Sequence, residues 1–233
     1  MTGAAENRSV FDAVLFDLDQ TVVDSSRAVN RSWSRWALEY GLAPDAVVRE
    51  HGSRARDIVA DLVEPALAEE ALARIVELEC ADPAVSAFPE VARALRLLSP
   101  DRVAIVTSST RRLAYRRLAL AGLDAPRVLV AADDVTQGKP HPEPYLTAAA
   151  QLAVEGSRCL VVEDAPTGVE AGLSMGATTV GVTTSVARDE LRADYVVDQV
   201  GELRFTVAEE GVNVSTQALG ALARVPRRVH TLS

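Results

Sequence analysis

The stretch Phe16-Asp17-Leu18-Asp19-Gln20-Thr21 places two carboxylates two residues apart, directly after the apolar run Ala13-Val14-Leu15. The apolar run predicts a short buried strand. Because residues i and i+2 of an extended segment point to the same side, Asp17 and Asp19 would share one small volume. Two anions that close repel each other unless a cation offsets their charge, and Mg²⁺ prefers oxygen ligands. The stretch therefore predicts a Mg²⁺ site at the carboxyl end of a buried strand, with a solvated acidic turn as the alternative.

Composition limits the class of protein. The chain has 233 residues, of which 48% are hydrophobic, so it can hold one large domain or a core with a smaller domain. A net charge of −9 argues against a nucleic-acid partner. No apolar run approaches about 18 residues, and the first residues lack the apolar core of a signal peptide, so we expect no membrane partner and a cytoplasmic location. Cys80 and Cys159 match no ligand spacing and are expected to be reduced thiols.

Lys139 is the single lysine among 24 basic residues, the other 23 being arginine. Such a surviving lysine suggests a place where a compact ammonium is needed and a planar guanidinium does not fit. The alternative is chance, and the neighbours of Lys139 decide between the two.

Strands and helices alternate along the second part of the chain. The apolar runs predict strands at 103–107, 128–131, 159–162, 178–182 and 195–197, with helices at 90–98, 111–121, 145–152 and 168–174. This alternation predicts an α/β fold, in which a Rossmann-like, doubly wound parallel sheet is covered by helices on both faces.

The segment between the first strand and this region is predicted to be helical. Helices are expected at 27–40, 45–50, 55–63 and 67–79, with no strand between Val23 and Phe88. Ser25 or Ser26 is expected to cap the first of these helices. We therefore predict a catalytic core at 1–23 and 90–205, an inserted helical domain at 24–89, a C-terminal β-hairpin at 204–216 and a flexible tail at 217–233.

Four of the predicted strand ends carry polar chemistry. They are Asp17 with Asp19, then Thr107-Ser108-Ser109, then the loop Gly138-Lys139-Pro140, and finally Glu163-Asp164. In open parallel sheets, ligands bind beyond the carboxyl ends of the strands. Gathered there, these groups would place an anionic metal site beside hydroxyls, amides and one ammonium that suit a phosphate.

These motifs, in this order, resemble the haloacid dehalogenase (HAD) superfamily of phosphotransferases over about residues 10–205. The insertion at 24–89 resembles the small α-helical cap of its phosphoglycolate-phosphatase and β-phosphoglucomutase branch. Two stretches, at 138–146 and 161–172, look like the sugar-phosphate and glycerol-3-phosphate phosphatases. Gln20 stands where this family usually has Gly, so we expect a turn with a more ordinary backbone angle there.

The resemblance implies a role for each matching residue. Asp17 would be the nucleophile that forms an aspartyl-phosphate, and Asp19 the general acid and base. Thr107, the Ser108 amide and Lys139 would bind the phosphoryl group. Mg²⁺ would be held by Asp17, the Asp19 carbonyl, Asp164 and, directly or through water, Glu163. In the cap, Arg54 and His51 are candidates for contact with a small phosphorylated metabolite. In the core, Glu143 is a candidate for orienting Lys139.

Other functions within the superfamily are less compatible with the chain. The cap has no lysine for the Schiff base of a phosphonoacetaldehyde hydrolase, and Asp19 argues against dehalogenase chemistry. A β-phosphoglucomutase-like mutase is disfavoured because no His stands near Val29-Asn30. A catalytically silent sensor of phosphorylated metabolites is the remaining alternative. The sequence leaves the substrate and the oligomeric state open.

Overall fold

The computed structural model describes residues 10–44, 47, 52–217 and 220–222. Its strands are β1 Val10–Phe11, β2 Ala13–Phe16, β3 Val23–Asp24, β4 Ser86–Ala87, β5 Val103–Val106, β6 Val128–Val130, β7 Cys159–Glu163, β8 Thr178–Val182, β9 Tyr195–Val197, β10 Leu203–Ala208, β11 Gly211–Thr216 and β12 Gly220–Ala221. Its helices are α1 Ser26–Glu39, α2 Ala55–Leu62, α3 Ala68–Ala81, α4 Pro89–Leu97, α5 Arg111–Leu120, α6 Glu143–Leu152 and α7 Pro166–Ser174.

A six-stranded parallel sheet forms the centre of the protein. Its strand order is β6-β5-β2-β7-β8-β9. The first strand of this sheet, β2, therefore lies in the middle, β5 and β6 extend the sheet on one side, and β7 to β9 extend it on the other. This is the doubly wound Rossmann order, and it confirms the predicted fold class. The order reverses at β2, where Val14 pairs with Val103 on one side and Leu160 on the other. The carboxyl end of β2 therefore borders the crevice in which ligands of such sheets bind.

Each central strand is buried on both faces, which explains its continuous apolar sequence. Phe16, Ile105 and Leu160 belong to one apolar cluster, whereas Leu15 and Val106 belong to a second cluster on the opposite face. Successive side chains of a strand alternate between the faces, so two apolar layers are filled by one run of residues. The result is a rigid platform that fixes the residues following β2, β5 and β7.

A second, antiparallel sheet has the order β1-β11-β10, with β12 paired to β11. β10 and β11 form a hairpin in which Leu203 pairs with Thr216 and Ala208 with Gly211. Phe205 of this hairpin meets Phe16 of β2 edge to face, with 5.6 Å between ring centroids. Most of the tail predicted at 217–233 lies outside the described residues.

Helices α1 to α3 pack against one another around Trp36, Val59 and Ile75. Trp36 is fully buried, and its indole nitrogen donates to the carbonyl of Ala71 at 2.9 Å. Both ends of this segment run through the short antiparallel pair β3–β4, so the prediction of no strand between Val23 and Phe88 was wrong. These strands have two residues each, too few for a sequence period to appear.

The helix predicted at 45–50 lies almost wholly outside the described residues. None of the described helices combines the length and the hydrophobicity needed to cross a membrane. The division into a core and a cap at 24–89 stays our proposal.

Candidate active site

Asp17 lies just beyond β2 in a buried network of charges. The ammonium of Lys139 donates to Asp17 Oδ1 at 2.6 Å, to Glu163 Oε1 at 2.6 Å and to the Val106 carbonyl at 3.0 Å. Its three protons thus have three acceptors, and its side chain is only 1% exposed. Tyr145 also donates to Glu163 Oε1, at 2.7 Å. The single lysine therefore holds the carboxylates of two different strand ends together.

Three carboxylates around this lysine carry more negative charge than it can balance. Oxygens of Asp17, Glu163 and Asp164 lie within 4.8 Å of one another, and all three residues are buried. Burial raises the pKa of Asp17 to about 7, with Glu163 adding to the effect and Lys139 opposing it. Burial also raises the pKa of Asp164, and Asp17 adds to that effect. An oxygen-rich, electron-rich cluster of this kind fits a hard divalent cation such as Mg²⁺.

Glu163 is already saturated by donors of the chain itself. Besides Lys139 and Tyr145 on Oε1, the backbone N–H groups of Asp164 and Ala165 donate to Oε2 at 3.1 and 3.3 Å. Asp164 differs, because Ser185 Oγ is the donor to its Oδ2 and the residue also lines the cavity described below. The arrangement favours Asp17 and Asp164 as primary ligands and Glu163 as the group that fixes Lys139.

Asp19 is held by three donors from three parts of the chain. Ser25 Oγ donates to its Oδ1 at 2.6 Å, while Ser109 Oγ and Arg117 Nη1 donate to its Oδ2 at 3.1 and 2.5 Å. Ser25 does occupy the N-cap position of α1, but neither it nor Ser26 makes a side-chain capping bond, so that prediction was wrong. The hydroxyl of Ser25 serves Asp19 instead.

Arg117 is a site residue that the sequence interpretation missed, as it missed Tyr145 and Ser185. Arg117 lies on α5 and is 3% exposed, and its other terminal nitrogen donates to Glu79 Oε1 at 2.9 Å. Burial by itself lowers its pKa, but the charges of Asp19 and Glu79 override that effect and raise it. One signal was present in the sequence: Arg117 shares a helix face with Leu113 and Leu118, where an apolar residue is the norm.

The predicted phosphate ligands lie at the same edge of the sheet with different accessibility. Thr107 and Ser108 both line the cavity beside Asp17. Thr107 Oγ1 accepts from the Ser109 N–H at 3.0 Å, and Ser108 Oγ donates to the Gly52 carbonyl of the helical insertion at 2.6 Å. Lys139 does not line the cavity but lies behind Asp17, with every proton engaged.

Gln20 adopts a left-handed conformation, with φ of +63°, where the sequence analysis expected a more ordinary backbone angle. That expectation was wrong, and the reason lies in its side chain. In the amide orientation that places the side-chain oxygen toward donors and the nitrogen toward acceptors, the Gln20 oxygen accepts from the N–H groups of Ser25 and Ser26 at 3.1 and 2.8 Å. The side chain thus caps α1, which offsets the cost of a left-handed non-glycine residue.

A cavity of about 330 Å³ separates the sheet edge from the helical insertion. The sheet side contributes mainly polar groups, and the insertion contributes both polar residues, such as Ser26 and Asn30, and the apolar side chains of Val29, Trp33 and Ile58. Trp36 belongs to the apolar core of the insertion, whereas Trp33 both packs in that core and lines the cavity.

Arg54 does not line the cavity. Its guanidinium donates to Asp57 at 2.8 and 3.1 Å and to the Thr136 carbonyl at 3.0 Å. Glu143 accepts from the backbone of Thr136 and Gln137, so it fixes the loop before Lys139 rather than Lys139 itself. His51 lies outside the described residues, and its contact with substrate stays a prediction, as does that of Arg54.

The sequence and the fold are both similar to those of known proteins. The family model described as haloacid dehalogenase-like hydrolase matches residues 14–182, which contain all four motif regions. A hydrolase from Pseudomonas syringae superimposes with a TM-score of 0.73 at 24% identity, covering 81% of this chain and 94% of that one. At that identity the likeness concerns the fold alone.

Two curated relatives are more similar in sequence. Hexitol phosphatase A of Escherichia coli (strain K12) is 37% identical over 206 residues, which are 84% of this chain and 95% of the relative. 2-Deoxyglucose-6-phosphate phosphatase 1 of Saccharomyces cerevisiae is 34% identical over 215 residues, covering 80% and 87%. Because the family model matches most of its length and these relatives cover 84% and 80% of it, the chain belongs to the haloacid dehalogenase-like hydrolases.

Proposed function

We propose that the protein hydrolyses a small phosphate monoester of a sugar or polyol, with Mg²⁺, through an aspartyl-phosphate on Asp17. The observation that carries this proposal is the pair Asp17 and Asp19 at the end of β2, facing one cavity but held by separate cations. Two carboxylates with different surroundings can take different tasks.

In the first step, an oxygen of Asp17 attacks phosphorus while the bond to the leaving oxygen breaks. Asp19, in its protonated form, gives its proton to that oxygen, so the substrate leaves as an alcohol. In the second step a water attacks the phosphorus of phospho-Asp17 and loses its proton to Asp19. Asp17 is then a free carboxylate again, and inorganic phosphate is the product.

Asp17, Asp164 and the backbone carbonyl of Asp19 would hold Mg²⁺, with Glu163 beside them. The cation would offset the repulsion between an anionic nucleophile and an anionic phosphate. Thr107 and the Ser108 amide would bind phosphoryl oxygens. Lys139 would counter the charge of the transition state through Asp17, to which it donates directly.

The remaining part of the cavity supports a sugar or polyol as the alcohol. Its volume of about 330 Å³ suits a small metabolite, and polar groups such as Asn30 and Ser26 stand among its apolar lining residues. Both relatives described above are named for phosphates of hexitols or of a deoxy-hexose. Closure of the helical insertion over the site would exclude bulk water during transfer. A cytoplasmic location stays a prediction.

The test is release of inorganic phosphate from a panel of hexitol, hexose and glycerol phosphates, with and without Mg²⁺. We expect Mg²⁺-dependent release from at least one of them and none with Asp17→Asn, which keeps the shape of the side chain but removes the nucleophile. Release undiminished in Asp17→Asn contradicts the nucleophile assignment. Isomerised sugar phosphate in place of free phosphate favours a mutase, and binding without turnover favours a sensor.

A further inference from the structure

The described residues contain an ion triad of which the proposed chemistry uses only Asp19 directly. Arg117 and Glu79 are buried, whereas the Asp19 side chain is 26% exposed. Arg117 on α5 stands between Asp19 and Glu79, and donates to them at 2.5 and 2.9 Å from different terminal nitrogens. Glu79 belongs to α3 of the helical insertion and is 5% exposed. The triad therefore joins the carboxylate at the end of β2 to the insertion across the cavity edge.

The guanidinium fixes the direction of the Asp19 carboxylate. Arg117 Nη1 donates both to Asp19 Oδ2 and, at 2.6 Å, to Ser109 Oγ, while Nη2 is taken by Glu79. Because a guanidinium is planar and rigid, the position of Glu79 sets the plane in which Nη1 can meet Asp19. A buried Arg117 with only one of these acids would be poorly compensated, so its orientation depends on both.

Fastening α3 to α5 does not by itself require Arg117. The adjacent Arg116 already joins the two helices, since its Nε donates to the Cys80 carbonyl at 3.0 Å from an exposed position. Arg117 differs from Arg116 in being buried and in touching Asp19. The second oxygen of Asp19 is held by Ser25, at the start of α1, so both oxygens depend on groups near the insertion.

We infer that Arg117 is a positioning residue for proton transfer by Asp19, locked by Glu79 when α3 of the insertion lies against α5. This inference rests on the proposed phosphatase function and adds to it a link between the insertion and the general acid. Asp19 is directed for donation only while Glu79 completes the triad. If α3 moved away from α5, the Arg117 side chain could rotate, and the Asp19 carboxylate would no longer be held in the orientation needed for proton transfer.

The test compares Arg117→Lys and Glu79→Gln with the matched control Arg116→Lys. Two substrates separate the steps: an alkyl phosphate that the wild type hydrolyses, and p-nitrophenyl phosphate, whose leaving group departs as a stable anion without a proton. Phosphoryl transfer from the aryl ester to Asp17 does not need Asp19 as an acid, whereas hydrolysis of phospho-Asp17 needs it as a base. A rapid burst of nitrophenolate therefore reports on the first step alone.

With the alkyl phosphate we expect kcat to fall about 10- to 100-fold in Arg117→Lys, and by less in Glu79→Gln, with KM within about threefold of wild type. With p-nitrophenyl phosphate we expect the burst to remain and the later turnover to slow. Arg116→Lys should stay within about twofold on both substrates.

Three results would overturn the inference. A rise in KM with unchanged kcat would make Arg117 a substrate contact. Equal loss of burst and turnover in both variants, or loss of the fold in both by circular dichroism, would make the triad merely structural. If the wild type hydrolyses the substrate and both variants keep its kcat, Arg117 has no positioning role, and the proposed function stands. If the wild type releases no phosphate from any substrate, that separate outcome contradicts the proposed function and, with it, this inference.

Discussion

Replacing Lys139 by arginine keeps the positive charge and tests whether a compact ammonium is required. The three acceptors of Lys139, namely Asp17 Oδ1, Glu163 Oε1 and the Val106 carbonyl, converge on one nitrogen at 2.6 to 3.0 Å. A guanidinium spreads its donors over a plane and cannot bring three of them to one point. The side chain also passes the ring of Tyr145, whose centroid is 5.1 Å from the ammonium.

The magnitude follows from this geometry. Forcing a larger head group into a fully packed site typically costs about 1–3 kcal/mol. For a chain of this size, about 2 kcal/mol lowers Tm by roughly 4–8 °C. The effect on catalysis should be larger, because loss of one well-placed electrostatic contact to the reacting group costs about 10²–10³ in kcat. We therefore expect Lys139→Arg to fold, to melt at a lower temperature and to lose at least about 100-fold in kcat.

The assay pairs thermal unfolding with phosphate release from the best substrate of the panel. Arg127→Lys is the control, because Arg127 forms an exposed ion pair with Asp101 and should leave both readings unchanged. Wild-type kcat and Tm in Lys139→Arg would refute the reasoning. The single lysine would then be a coincidence of composition rather than a requirement of the site.

Three other perturbations test separate features of the site. In Gly168→Ala the new Cβ would lie 1.8 Å from Glu163 Oε1, so the carboxylate must leave its donors; we expect kcat to fall at least about tenfold. Gly172→Ala, one turn further along α7, crowds only apolar groups of Thr179 and Val161 at 2.9–3.1 Å and should lower Tm without lowering kcat. Equal kcat losses in the two variants would count against a specific role for Glu163. Because burial raises the pKa of Asp17 to about 7, protons compete with Mg²⁺ below that pH; calorimetry should give an affinity about tenfold weaker at pH 6 than at pH 8, and a pH-independent affinity contradicts this. Gln20→Ala keeps the left-handed backbone but loses the cap of α1 and should cost about 1 kcal/mol by denaturant unfolding, whereas Gln20→Gly relieves the strain and should change stability little; equal losses would contradict the strain.

The sheet was predictable because its strands are buried on both faces. A continuous apolar run such as that at 103–106 or 159–162 has few alternatives to a central parallel strand, and polar residues mark where each ends. The rule that ligands bind at the carboxyl ends of such strands then brought Asp17 near Asp164 without knowledge of the coordinates. Local pattern and global topology agree here.

The predictions that failed depended on side-chain contacts that no sequence pattern specifies, some of them within a few residues and others between distant parts of the chain. No local pattern tells that the Ser25 hydroxyl donates to Asp19 and accepts no capping bond from the backbone N–H groups of α1, because a hydroxyl at that position can do either. The left-handed angle of Gln20 is settled by a side-chain bond to residues five and six positions ahead. Arg117 lies 98 residues after Asp19, so only the fold shows that they meet.

Each of the two aspartates of the opening motif is bonded to a cationic side chain that also binds a glutamate, but the two cations differ. Asp17 shares Lys139 with Glu163, and Asp19 shares Arg117 with Glu79. Where three acceptors crowd around one point, the chain uses its single lysine. Where two acids must be bridged from opposite sides, it uses an arginine, whose nitrogens face different directions. The geometry of the acceptors, more than the sign of the charge, thus explains why position 139 is a lysine in a chain whose other 23 basic residues are arginines.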